Sequence, residues 1–170
     1  MGKILTSALL IATAASSVLT GCNASGCIEN QSSLPLAGFY SSESEQGISL
    51  NTIEVYGVGA PGDSVLYPAG STLSEVYLPF RSQNEQTSYC FHYTQESLDD
   101  DALNDTITFV YTSTPYFASE ECGAMLTYHI RSMSHTYHLI DSVAIADSII
   151  TNTNLQRIKI FFRTNTSSNR

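Results

Sequence analysis

The sequence is poor in tryptophan, positive charge and helical patterning. It contains no Trp, and its seven Lys and Arg residues are outnumbered by 16 Asp and Glu residues. Without Trp the chain lacks the Cys–Trp–Cys core of antibody domains and the strongest aromatic platform for stacking on sugars. The net charge of −9 disfavours nucleic acid and anionic lipid headgroups as partners. No segment carries apolar residues at helical spacing, which argues against a helical domain.

Known catalytic motifs are also missing. The chain has no Gly-x-Ser-x-Gly elbow, no His-Glu-x-x-His zinc motif and no P-loop. Cys90 and His92 lie two residues apart and would share one face of a strand, but the neighbouring sequence supplies neither an orienting carboxylate nor a Gly-rich loop. We therefore expect a protein that is not an enzyme and that uses no cofactor.

The first 22 residues are the most informative segment that is present. Lys3 provides a positive start, residues 4–18 are apolar or small, and Leu19–Cys22 resembles a bacterial lipobox. An ordinary secretory leader ends at small residues without needing a cysteine, so we expect cleavage after residue 21 and lipidation of Cys22. Loss of Lys3 with the leader changes the net charge from −9 to −10. The protein is then attached to the membrane through the lipid on Cys22, and residues 22–33 form a polar tether.

Three cysteines remain for an oxidising compartment, namely Cys27, Cys90 and Cys122. They permit three alternative single bridges. We favour Cys27–Cys122, because Cys90 lies inside a predicted strand whereas the other two lie in the tether and in a turn. The bridge would close a loop of about 95 residues, with an idealised entropic gain of about 4–5 kcal/mol.

Residues 34–164 show the two-residue alternation of half-buried strands, as in Gln156–Arg163, where Ile158, Ile160 and Phe162 point to one side. This pattern predicts an all-β domain, a single antiparallel two-sheet sandwich of about seven to nine strands, immunoglobulin-like or transthyretin-like. A closed barrel is the second choice, and residues 165–170 form a polar tail. The predicted strands are Ile53–Tyr56, Ser64–Tyr67, Ser74–Phe80, Ser88–Thr94, Thr106–Thr112, Ala124–Met133, Ser142–Ile145 and Gln156–Arg163.

Several runs of the mature chain resemble one family of bacterial proteins. These runs are Glu29–Tyr40, Tyr56–Ser64, Val76–Phe80, Cys122–Met125 and Ile158–Arg163. They are similar to uncharacterised cell-envelope lipoproteins of Bacteroidota, a family with no assigned activity. The resemblance implies a diderm envelope and a lipid anchor, and it brings no catalytic residues.

The clade implied by this resemblance often carries O-glycans on Ser or Thr that follows Asp and precedes an apolar residue or Thr. Four positions fit, so glycosylation is expected on at least one of them: Ser64, Thr106, Ser142 and Ser148. The structural alternative is that Asp followed by Ser or Thr simply ends a turn where a strand begins.

The Asp99–Asp101 run with Asp105 is the densest group of charges. A calcium loop is conceivable, but the EF-hand pattern fails at Leu103, Asn104 and Val110. We expect a solvated hairpin loop. His135 and His138 would lie on opposite faces of a strand, and His129 shares a face with Arg131, so no metal site is predicted.

The resulting hypothesis is a non-enzymatic, lipid-anchored accessory or interaction protein of the outer membrane, facing the periplasm. Its expected partners are the membrane, through Cys22, and an outer-membrane protein bound by strand addition at an exposed sheet edge. The alternative is a surface glycan-binding lipoprotein, since ten Tyr and seven Phe make a sugar-binding face conceivable. A small fimbrial-type subunit is a third reading.

Overall fold

The computed structural model describes residues 33–120 and 123–164. They form ten strands and one short 3-10 helix, Asp101–Leu103. The strands are β1 (Leu36–Ser41), β2 (Leu50–Val58), β3 (Val65–Leu73), β4 (Glu75–Tyr77), β5 (Gln86–Tyr93), β6 (Asp105–Ser119), β7 (Gly123–His135), β8 (Ile140–Ile145), β9 (Ile149–Ile150) and β10 (Gln156–Phe162).

The strands are arranged in two sheets that enclose one core. The four-stranded sheet has the order β4-β1-β10-β8, and the six-stranded sheet has the order β3-β2-β5-β6-β7-β9. The all-β, two-sheet prediction is confirmed. One detail of it is wrong, because β1 and β10 pair in parallel with Phe39 opposite Ile160. These two strands are the first and the last in the sequence, so the intervening chain supplies the long connection that a parallel pair requires.

Alternation determines which side chains enter the core. In β10, Ile158, Ile160 and Phe162 are no more than 1% exposed, while Lys159 between them is exposed. The inward assignment of these three residues is therefore confirmed. In β5, Tyr89 and Phe91 are buried in the same way. Burial of such side chains stabilises the fold by about 1.5–3 kcal/mol each.

Aromatic rings pack against one another in the core, which contains no Trp. Phe80 stacks on Tyr111 with ring centroids 4.2 Å apart, and Tyr128 contacts both rings edge-on. Phe39 contacts Phe162 edge-on at 5.1 Å. Aromatic pairs in these geometries add about 0.5–1.5 kcal/mol beyond the area they bury.

The connected strands β6 and β7 extend further than the sequence predicts. Their outer ends, residues 114–119 and 123–127, pair with each other beyond the last residue of β5 that pairs with β6. We call this two-stranded extension the hairpin arm. Phe117 on the arm is 69% exposed, the highest value among the large apolar side chains of the described residues.

Candidate functional site

One exposed sheet edge is long and regular enough to accept a further strand. β8 is the last strand of its sheet and pairs only with β10 among the described strands. Because the Ala146 N–H donates to the Arg157 carbonyl, the alternation of an antiparallel ladder directs the N–H groups of Val143 and Ile145 away from β10. Ser142 and Ala144 are exposed on its outer face. The edge therefore offers free backbone groups beside small side chains.

The other three sheet edges of the described residues are less suitable. β4 has three residues and β9 has two. β3 contains Pro68, it has Gly70 at φ +82°, and its register with β2 shifts repeatedly. Short length, proline and irregular register are the usual means of preventing edge-to-edge pairing. β8 has none of these features along Ser142–Ile145.

Asp105 anchors the start of β8 from the other sheet. It is fully buried, and its carboxylate accepts hydrogen bonds from the backbone N–H groups of His138, Leu139 and Ile140 at 2.7–3.0 Å. The hydroxyls of Tyr93 and Thr136 also donate to it, at 2.9 and 2.6 Å. Five donors compensate for the cost of burying this charge. The expectation that Asp105 belongs to a solvated acidic loop is wrong.

The rest of the acidic run agrees with a solvated loop. Asp99, Asp100 and Asp101 are exposed, and the Asp100 carboxylate caps the 3-10 helix by accepting from the Ala102 N–H at 2.9 Å. No group of three or more His, Cys, Asp or Glu side chains within residues 33–120 and 123–164 is placed to hold a metal ion. Asp105 departs from its neighbours because β6 begins there and turns its side chain into the core.

His92 lies between two carboxylates that sequence reasoning did not associate with it. Its Nδ1 is 3.1 Å from Glu54 on the adjacent strand β2, and its Nε2 is 3.1 Å from Asp99. The expectation that no orienting carboxylate lies nearby is wrong, because the register that sets Glu54 opposite His92 is a tertiary feature. The hydrogen bond that His92 donates to the Glu54 carboxylate, followed by the one to Asp99, raises the pKa of His92. Since the carboxylates occupy opposite ring nitrogens, the three groups cannot converge on one ion.

Cys90 is a free thiol, 5% exposed, on the same strand face as His92. Burial raises its pKa, which is the opposite of the shift that activates a nucleophile. Its neighbour on β2 is Tyr56, whose pKa is also raised, chiefly through its hydrogen bond with Cys90. The pair is a packed contact in the sheet with no low-pKa thiolate.

The four glycosylation candidates differ in exposure. Ser64 and Ser142 are exposed, while Thr106 and Ser148 are half-buried. The Asp that precedes each candidate makes a hydrogen bond or an ion pair within the fold, which agrees with a structural role for these Asp residues. Asp63 accepts from the Gly59 N–H, Asp141 pairs with Arg163, Asp147 pairs with Arg157, and Asp105 is the buried anchor. The hydroxyls of Ser64 and Ser142 are the two that the fold leaves most accessible.

Cys22, Cys27 and Cys122 lie outside the described residues, as do the leader and the polar tail. Cys122 follows the outer end of β6 in sequence. The base of the hairpin arm lies near the first strand, because the Tyr116 hydroxyl donates to Asn152 and the Tyr77 hydroxyl donates to nearby Asn154. Tyr77 in turn is opposite Leu36 at the start of β1. The arm and the first described residues therefore share one end of the sandwich.

A surface cleft beside β1 was missed by sequence reasoning. It encloses about 300 Å³ on the outer face of the four-stranded sheet. Its lining includes Gly38, Tyr40, Ser49, Ser74, Glu75 and Gln156, together with Phe39, Gly47 and Ile48. We call it the β1 cleft. The sequence gives little signal for it, because Leu36–Ser41 shows no alternation and its Ala and Gly are poor strand formers.

Residues 52–162 match a family model described as a family of unknown function, DUF6452. No curated protein and no solved structure matches the chain, so the immunoglobulin-like or transthyretin-like topology stays a prediction. In the part of the chain that the structure describes, no helix is long and apolar enough to cross a membrane. The matched range runs from β2 to the last residue of β10 and covers well over half of the 170 residues. The chain therefore belongs to DUF6452, a family of unknown function.

Proposed function

We propose that this protein is a non-enzymatic, lipid-anchored accessory protein of the Bacteroidota outer membrane that docks onto an outer-membrane protein. The lipobox at Leu19–Cys22 and the resemblance to envelope lipoproteins support the anchor and the compartment. The family has no known activity, so the docking role rests on geometry. The free edge of β8 is the observation that carries it.

Strand addition fits β8 for two reasons. Its outward backbone groups at Val143 and Ile145 would pair with an extended segment of the partner, which supplies affinity through main-chain hydrogen bonds. The Asp105 carboxylate holds the N–H groups at the start of the strand, so the edge is preorganised and loses little freedom on binding.

A proline substitution tests the edge directly. Val143→Pro removes an outward N–H from an edge strand, a position where proline is tolerated. Val143→Ala is the control, because it also removes the branched valine side chain but keeps the N–H. In affinity purification from solubilised membranes, we expect the native chain and Val143→Ala to recover the same outer-membrane protein and Val143→Pro to lose it. Equal recovery with Val143→Pro contradicts docking through β8.

Orientation is tested by protease treatment of intact cells. A periplasm-facing protein is protected until the outer membrane is permeabilised, whereas a surface-exposed one is cleaved at once. Immediate cleavage would contradict the periplasmic orientation and favour the glycan-binding alternative.

The native mass of the purified mature protein tests the proposed modifications together. We expect lipid on Cys22, two hydrogens lost through a Cys27–Cys122 bridge, and added hexose-type mass on at least one candidate hydroxyl. A glycan on Ser142 would project from the outer face of β8 and obstruct an incoming strand. Full occupancy there would therefore contradict docking at this edge, while occupancy at Ser64 would not.

A further inference from the structure

The β1 cleft is built on a rigid frame. The Ile48 N–H donates to the Phe39 carbonyl at 2.9 Å, and Gly47 forms a bridge with Tyr40. These contacts attach the loop that forms one rim to the strand that forms the floor. A cleft held by backbone hydrogen bonds is preformed, as ligand sites usually are, and its volume of about 300 Å³ lies at the small end of their range.

Gly38 lies at the floor of the cleft, where the absence of a side chain leaves room for a neighbouring group. A Cβ at this position would lie 2.2 Å from the Gln156 side-chain oxygen, so the Gln156 amide occupies the space above the glycine. The same amide donates from its Nε2 to the Tyr40 hydroxyl at 2.7 Å. Because the hydroxyl accepts this bond, its own proton is free to donate to a ligand.

The Tyr40 ring forms one wall of the cleft, and residues of β10 already contact this ring. Phe161 on β10 contacts its ring at a centroid distance of 5.5 Å, and the Lys159 ammonium lies 5.1 Å from the ring centroid. The cleft opens on the other side of β1, toward Ser74 and Glu75. An aromatic ring beside several hydrogen-bonding groups suits a ligand that is apolar along its faces and polar at its rim.

The charges around the cleft select a neutral ligand. Glu75 repels anions, and its carboxylate makes no ion pair or hydrogen bond with the described residues. Lys159 opposes a cation at the Tyr40 ring. Glu75, Gln156 and the hydroxyls of Ser49 and Ser74 together offer acceptors and donors at short range. Groups of this kind suit hydroxyls better than lipid chains or an apolar peptide.

We propose that the β1 cleft binds a neutral pyranose unit of a saccharide, with its ring against Tyr40 and its hydroxyls on Glu75 and Gln156. The site lies two strands away from β8 and is independent of docking there, so either can fail alone. It deepens the glycan-binding alternative, which composition alone could not locate.

A glycan array with the full mature chain is the first test. The neutral probes are maltohexaose, cellohexaose and triacetylchitotriose, with oligogalacturonate as the anionic probe and a chitosan hexamer as the cationic one. The protein is held in a polyoxyethylene detergent, because maltoside and glucoside detergents carry the proposed ligand class. We expect saturable binding to at least one neutral probe. Binding only to charged probes, or to none, overturns the proposal.

Three variants then locate the binding by calorimetric titration with the bound probe. Tyr40→Ala should weaken affinity about tenfold or more, and Glu75→Gln about three- to tenfold, because each removes a direct contact. Gly38→Ala displaces the Gln156 amide and should weaken binding without altering the backbone, since Gly38 does not have a positive φ. Tyr137→Ala is the matched control, an exposed tyrosine outside the cleft.

Stability measurements keep the test decisive. Each variant is compared with the native chain by thermal unfolding, and Tyr40→Phe supplies a second substitution that keeps the ring. Unchanged affinity in Glu75→Gln and Gly38→Ala, both folded, overturns the proposal even if a neutral probe binds elsewhere.

Discussion

The two sheets of this sandwich use polar side chains in opposite ways. Polar side chains of the six-stranded sheet are paired: Asp105 has five donors, the Thr87 and Tyr111 hydroxyls meet at 2.7 Å, and His92 lies between two carboxylates. The four-stranded sheet leaves backbone groups open at the β8 edge and polar side chains open in the β1 cleft. Satisfied groups contribute stability, whereas unsatisfied exposed ones are available for recognition. The polar groups of the six-stranded sheet therefore make structural contacts, and both proposed binding sites lie on the four-stranded sheet.

The largest effect is expected at Asp105. Asp105→Ala leaves three backbone N–H groups, including that of the buried Ile140, without this acceptor and should lower the free energy of unfolding by about 4 kcal/mol or more. Asp105→Asn keeps the volume and one good acceptor, so a smaller loss is expected. Urea unfolding measures both. Asp101→Ala, in the exposed 3-10 helix, is the control and should change stability by about 0.5 kcal/mol or less. Similar losses at both positions would remove the distinction between the anchor and the loop.

Tyr111→Phe tests the hydrogen bonds that the Tyr111 hydroxyl makes in the core of the sandwich. The Tyr111 hydroxyl accepts from the Arg81 N–H and donates to the Arg81 carbonyl, both at 2.9 Å. Its removal should cost about 1–2 kcal/mol while the stacking on Phe80 persists. The matched control is Tyr137→Phe, whose ring is 66% exposed. A neutral result for Tyr111→Phe would show that these hydroxyls are dispensable.

His92 makes part of the stability of this sheet depend on pH. Its pKa is raised in the folded chain, so its contribution is complete below the unfolded value of about 6.5 and is lost as the pH rises through the folded value. His92→Gln should therefore lower the free energy of unfolding more at pH near 5.5 than at pH near 8.5, with a difference below about 1 kcal/mol. An equal or reversed difference would contradict the Glu54–His92–Asp99 arrangement.

The smallest effect is expected at Glu43, in the turn after β1. Hydrogen bonds from Thr164 and then Ser41 lower its pKa to about 2. Its contribution is therefore present above the unfolded value of about 4.3 and is lost as the pH falls toward 2. A carboxyl NMR titration measures the shift directly, and Glu43→Gln should lose its difference from the native chain near pH 2. A normal titration midpoint for Glu43 would show that this exposed turn is not held to Thr164.

Local patterning made most of the strands predictable and left some out. The alternation in β5 and β10 identifies the buried side chains because one face of each is covered and the other faces outward. β1 was missed because both of its faces are largely covered, so Leu36–Ser41 shows no alternation. β9 was missed because two residues are too few for a pattern. The parallel pairing of β1 with β10 has no local signal, since it joins residues about 120 positions apart.

The candidate sites also divide into features visible in the sequence and features that depend on the fold. The Asp-Ser and Asp-Thr positions are visible in the sequence, but only the fold separates Ser64 and Ser142, which are exposed, from Thr106 and Ser148. Glu54 meets His92 from a strand distant in sequence, and the lining of the β1 cleft combines residues near Gly38 with Glu75 and Gln156. No motif spacing would have joined them.

By itself, the sequence determined the all-β class, the core face of the alternating strands and the lipobox on which the expected location rests. These depend on local chemistry: side-chain period, strand propensity and a short N-terminal signal. The tertiary structure alone decided that Asp105 is buried, that Glu54 meets His92, that β8 lies at an edge and that Gly38 forms the floor of a cleft. Each of these depends on which strands become neighbours, and strand pairing is selected by burial across the whole sandwich and not by any one segment.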